Sequence, residues 1–114
     1  MALTRMTYSA AAGEALAAAM RADSRVVALG EDLGRGGVFG QYRFRAADGT
    51  LRTLQQEFGS ARVIDTPISE ANIMGAAVGM ALAGLRPVVE MRVIDFALCG
   101  MDELVNQAAK NRYM

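Results

Sequence analysis

Apolar and polar positions along the 114-residue chain follow two rhythms, one helical and one extended. Ala12, Leu16, Ala19 and Met20 recur at i, i+4, i+7 and i+8, which predicts a first helix capped by Thr7 or Ser9. Arg21 and Arg25 lie near its end, the sign the helix dipole favours there. "RVVALGED" is then a short apolar run closed by Gly30 and reads as a buried strand. A glycine-rich loop carrying Tyr42 and Phe44 leads to a second predicted helix, Thr50 to Phe58, ended by Gly59. "ARVIDTP" is a second strand stopped by Pro67, which also moves Thr66 away from helical dihedrals. Ser69 stands as N-cap of a helix from Glu70 to about Ala83, and Gly84 closes it. "RPVVEMRV" is a third strand. Asp95 to Arg112 is a last helix, with Met101, Leu104, Val105 and Ala108 at helical spacing.

The order α-β-α-β-α-β-α predicts an α/β fold, a parallel sheet with helices on both faces. Three strands make a small sheet of this kind, and the reading is of one domain, residues 1–114, incomplete at its C-terminus. Hydrophobic residues make up 53% of the chain, enough for a core in a domain this short. Formal net charge is zero, and all basic residues but Lys110 are scattered arginines, so neither nucleic acid nor an anionic membrane is expected as a partner. The apolar run from Ile73 to Leu85 is 13 residues, too short to span a bilayer core of about 30 Å. A single cysteine, Cys99, excludes an intrachain disulfide, and the expectation is a soluble cytoplasmic protein. Histidine is absent, which excludes Ser-His-Asp and Cys-His catalysis and histidine-bound metal within this chain.

The chemistry concentrates where the second strand meets the third helix. Ligands of open parallel sheets sit at the carboxyl ends of the strands, and Glu70 is placed there. Its bland role is to complement the helix N-terminus, worth about 0.3–1 kcal/mol. The helix behind it carries Gly75 and Gly79 at i, i+4, each costing about 1 kcal/mol relative to alanine. That cost points to close approach of another backbone, either within the domain or across a subunit interface. "GRGG" at Gly34 to Gly37 has neither the P-loop ending nor the dinucleotide glycine spacing, and reads as a mobile loop. Asp32, Asp65 and Asp95 each follow a strand, which makes a cation site conceivable only if they converge. Phe96 points either into the core, the default, or into the crevice beside Glu70. Cys99 reads as a small buried hydrophobe.

"ALGEDLGRGGVFGQY", "RVIDTPISEANIMGAAVGMALAGLRPVVEM" and "DFALCGMDELVNQAAKNRYM" together resemble the beta subunit of thiamine-diphosphate-dependent 2-oxo acid dehydrogenases, from about Thr7 to Met114. The resemblance implies a transketolase-like pyrimidine-binding domain and thiamine diphosphate as cofactor. It implies that Glu70 meets the N1′ nitrogen of the aminopyrimidine and exchanges a proton there. Phe96 matches an aromatic position packed on that ring, and Ile68 a residue whose main chain lies beside it. Arg92 falls where better-known members have methionine or glutamine lining the pocket, so it contacts cofactor or substrate or turns away. Implied partners are an alpha subunit, which holds the diphosphate and Mg²⁺, a second beta subunit, and a lipoyl acyltransferase core. No metal ligand is implied in this chain.

The implied activity is oxidative decarboxylation of a 2-oxo acid, or acetoin cleavage, with acyl transfer to a lipoyl carrier. Alternatives are another thiamine-diphosphate enzyme of transketolase type, or a non-catalytic module pairing with alpha-type subunits. Family beta subunits are about three times longer, and a catalytic histidine belongs to the remainder. The stretch "FRAADGTLRT" is longer than in relatives and reads as a surface turn around Asp48-Gly49.

Overall fold

Strand β1 (Val26–Glu31) is buried almost throughout because helices cover both of its faces. Side chains alternate across a strand, so Val26 and Ala28 enter one core while Leu29 enters another. The computed structural model describes residues 5–34, 43–45 and 48–114. The predicted glycine-rich loop, with its Gly34–Gly37 run and Tyr42, lies largely outside them.

Helix α1 (Tyr8–Ala22) is capped by Thr7, whose Oγ1 accepts from Ala10 N–H at 3.2 Å, rather than by Ser9. Its buried stripe Leu16, Ala17 and Met20 packs with Val26, Ala28, Leu33, Leu54 and Val63. Arg62 fastens this layer to the sheet. Its guanidinium donates to the main-chain oxygens of Met20 at 2.8 Å, Asp23 at 2.9 Å and Val26 at 2.8 Å, and lies 5.2 Å from the Phe58 ring centre. One side chain thereby satisfies carbonyls at the end of the helix and the start of β1.

Two short strands, β2 (Phe44–Arg45) and β3 (Leu51–Arg52), pair antiparallel with Phe44 opposite Arg52. The extra stretch is therefore a small ribbon. Residues 48–50, which lead into β3, are exposed, with Asp48 accepting from Thr50 N–H at 3.0 Å. Because residues 51 and 52 are used in pairing, helix α2 starts later than predicted and spans Leu54–Phe58. Thr53 and Gln56 form its reciprocal capping box.

Strands β4 (Val63–Thr66) and β5 (Arg86–Glu90) both pair parallel with β1, in the order β4-β1-β5. Helix α3 (Glu70–Leu82) covers the other face, with Ile73 and Ala77 packed on Leu29, Ile64 and Val89. Gly30 is not the strand's end, as its sequence suggests, but sits within β1 between Asp65 and Glu90. The predicted last helix divides into a 3-10 segment (Ile94–Gly100) and a π-helical turn (Glu103–Ala108), where Ala109 N–H donates to the Leu104 carbonyl at 2.9 Å. The change of pitch falls at Gly100, a weak helix former pressed onto α3. No helix among the described residues is long and apolar enough to cross a membrane.

A titratable anchor joins α1 to the sheet. The Arg25 side chain and N–H both donate to Asp23, and Arg86 stands 3.6 Å away. These donors lower the Asp23 carboxyl from the ordinary 3.8 to about 2. A carboxyl depressed in the folded state stabilises it above the unfolded value and loses that contribution as pH falls through the folded one. The melting midpoint is therefore expected to drop between about pH 4 and pH 2, and Asp23→Asn to flatten that part of the profile in a thermal series.

Candidate active site

The carboxyl ends of β1 and β5 and the start of α3 enclose a recess of about 500 Å³, within the usual range for ligand pockets. Ile68, Glu70, Arg92 and Phe96 all line it, so residues 28 positions apart in the chain meet in one place. The connection after β4 sets this up. Pro67 ends the strand, and Ser69 begins the helix with its main-chain oxygen, which accepts from Ile73 N–H at 2.8 Å. Its hydroxyl does not cap the helix as predicted. It donates instead to the Pro67 carbonyl at 3.1 Å and tightens the turn. Glu70 is therefore the first residue of α3, half-buried on the wall of the recess.

The 3-10 segment forms the opposite wall. A Cβ on Gly100 would lie 2.7 Å from Met74 Cγ and 3.2 Å from the Glu70 main-chain oxygen. Only glycine lets this segment sit so close to the first turn of α3. That approach brings Phe96 and Cys99 over Glu70's end of the helix. Phe96 is 51% exposed and faces the recess, not the core. Cys99 is likewise exposed and lines the recess, which corrects its reading as a buried hydrophobe. Ile68 is 75% exposed, a large apolar side chain presented outward beside a carboxylate.

Sequence reasoning missed Glu31, Glu90, Met91 and Val93, which with Ile73 complete the lining. Glu31 and Glu90 are the last residues of their strands, and an acid ending an apolar strand was the signal available. Glu90 is 6% exposed and lies beside Gly30. Arg92 does not turn away: its Nη1 lies 3.3 Å from Asp32 Oδ2 across the strand ends. Asp65 accepts from Gly34 N–H. The three strand-end aspartates thus form no cation cluster, and no group of three or more metal-ligating side chains occurs among the described residues.

The two helical glycines also separate. A Cβ on Gly75 would meet the Glu103 carboxylate at 3.4 Å, whereas one on Gly79 would meet nothing within 4 Å. Close backbone packing inside the domain, among the described residues, accounts for neither.

A three-stranded parallel core thus carries an acid-walled recess at its strand ends. Residues 4–114 match the transketolase pyrimidine-binding domain, and the chain belongs to that family. It is similar to the beta subunit of acetoin:2,6-dichlorophenolindophenol oxidoreductase from Bacillus subtilis, with 42% identity over 96% of this chain and 33% of the relative. The 2-oxoisovalerate dehydrogenase subunit beta of the same organism is 42% identical over 95% of this chain and 31% of its own length. The pyruvate dehydrogenase E1 component subunit beta of Leifsonia xyli is 47% identical over 81% of this chain and 25% of its own. The chain thus spans about a third or less of the length of these curated relatives.

Proposed function

We propose that this chain is the part of a 2-oxo acid dehydrogenase beta subunit that receives the aminopyrimidine end of thiamine diphosphate, with Glu70 as its acid–base group. The observation that carries this reading is the convergence of Glu70, Phe96 and Ile68 on one recess in a chain of this family. The residues suit such a ring. Phe96 offers an aromatic face, Ile68 an apolar edge, and Glu70 a carboxyl able to share a proton with a weakly basic ring nitrogen. When bound, thiamine diphosphate supplies a carbon nucleophile and an electron sink for loss of CO₂ from a 2-oxo acid.

The chain's own contribution is to orient the ring, exclude water and hold or release a proton at the pyrimidine N1′. Position at the start of α3 sets Glu70 on the wall of the recess, where Ile68, Ile73 and Phe96 supply the apolar surroundings. The partner is an alpha-type subunit, which holds the diphosphate and Mg²⁺. The exposed face of α3 formed by Asn72, Ala76 and Gly79, continued by the C-cap Ala83, is the surface suited to close contact with it. A second beta subunit and a lipoyl acyltransferase core complete the assembly, in the cytoplasm. Acetoin is the second substrate reading, favoured by similarity to the acetoin oxidoreductase subunit.

The test uses the full-length protein assembled with its alpha-type partner. Addition of thiamine diphosphate is expected to switch on reduction of an artificial electron acceptor by a 2-oxo acid. If neither 2-oxo acids nor acetoin support cofactor-dependent turnover, the reading fails.

A further inference from the structure

Arg92 is the one basic side chain among the described residues lining the recess; its other charged walls are Glu31, Glu70 and Glu90. Carboxylates on its wall, Glu31 and Glu70 among them, disfavour entry of an anion, and Arg92 is the cation set against them. Arg92 stands two residues past the end of β5, and Asp32 one residue past the end of β1. Those strands are neighbours, which puts the two side chains face to face beside the recess, with Arg92 on its wall and Asp32 outside its lining. Asp32 has a φ of 52°, the one positive value for a non-glycine among the described residues, and aspartate tolerates that conformation better than most.

The pair is open to exchange. Its side chains are 41% and 54% exposed, and the contact is a single hydrogen bond at 3.3 Å between Nη1 and Oδ2. Among the described residues nothing else engages the guanidinium, so its planar fork can take an incoming carboxylate through two parallel N–H donors. Its contact with Asp32 shows that the guanidinium already pairs with a carboxylate.

We propose that Arg92 is a specificity-determining residue that receives the carboxylate of an anionic 2-oxo acid, with Asp32 as the counter-ion it leaves. The proposal rests on the function given above and narrows its substrate class to charged 2-oxo acids over neutral acetoin. It also assigns Arg92 to substrate rather than to cofactor.

The experiment compares Arg92→Met, Arg92→Lys and Asp32→Asn in the full-length protein assembled with its alpha-type partner. KM and kcat are measured for pyruvate, 2-oxoisovalerate and acetoin. Calorimetry gives the Kd of thiamine diphosphate and of lactate and 2-hydroxyisovalerate, unreactive acids of the same skeletons. Arg92→Met is expected to raise the KM of the preferred 2-oxo acid, and the Kd of the matching hydroxy acid, by about 10–100-fold. Its effect on acetoin is at least about tenfold smaller, and the Kd of thiamine diphosphate moves less than about threefold. Arg92→Lys recovers part of the loss, and Asp32→Asn lowers KM, a sign that mere structural damage does not produce. An unchanged KM, equal losses for acid and acetoin, or a loss confined to thiamine diphosphate overturns the proposal. Hydroxy-acid binding that depends on Arg92 without turnover of any substrate sustains it while the proposed function fails. Absence of both binding and turnover removes both.

Discussion

Glu70→Gln, introduced into the full-length protein with its alpha-type partner, is expected to cut turnover by about 10²–10⁴-fold, the usual contribution of a positioned acid–base group. The substitution conserves shape and size and removes only the ability to exchange a proton. The main-chain contacts of Glu70, including the close approach of Gly100 to its carbonyl, do not involve the side-chain carboxyl and are kept. Cofactor affinity should therefore fall by less than about tenfold, because the amide still hydrogen-bonds and Phe96 and Ile68 remain. Steady-state turnover and a calorimetric Kd for thiamine diphosphate separate the two effects. Turnover matching the unmodified protein would remove Glu70 from the chemistry.

The second large effect lies beneath the recess. A Cβ on Gly30 would lie 2.8 Å from the main-chain oxygen of Glu90 and 3.1 Å from its Cβ. Main chain in the β1–β5 ladder cannot retreat without breaking the pairing of Gly30 with Glu90. Gly30→Ala is expected to cost about 1–3 kcal/mol, and Gly30→Val more, through overpacking between adjacent strands. Both changes should also displace Glu90, Met91 and Arg92, which extend from the end of β5 into the recess. Denaturant unfolding measures the first consequence and thiamine diphosphate affinity the second. A Gly30→Val protein with an unchanged midpoint would show that the strands have room the structure does not allow.

These two sites differ in how far they could be read from the chain. Glu70 was legible because its position depends on local rules: Pro67 stops a strand, a short turn follows, and the next apolar residues repeat at helical spacing. The alternation of strands and helices and the parallel sheet were legible for the same reason. Helix ends were less so. Ser69 occupies the capping position while its hydroxyl serves the turn, and α2 starts late because an antiparallel ribbon competes for residues 51 and 52.

The primary structure by itself determined the order of the three sheet strands and of the helices between them, the apolar faces that must be covered, and the placement of a carboxyl at a strand-to-helix joint. Tertiary packing alone decided the order β4-β1-β5, the close approaches at Gly30 and Gly100, the outward setting of Phe96 and Cys99, and the meeting of Arg92 with Asp32, 60 residues away. Periodicity records which side of an element avoids water, a local property of the chain. Which two surfaces then touch, and how closely, depends on contacts between segments far apart in the chain, and these exist only once the layers have assembled.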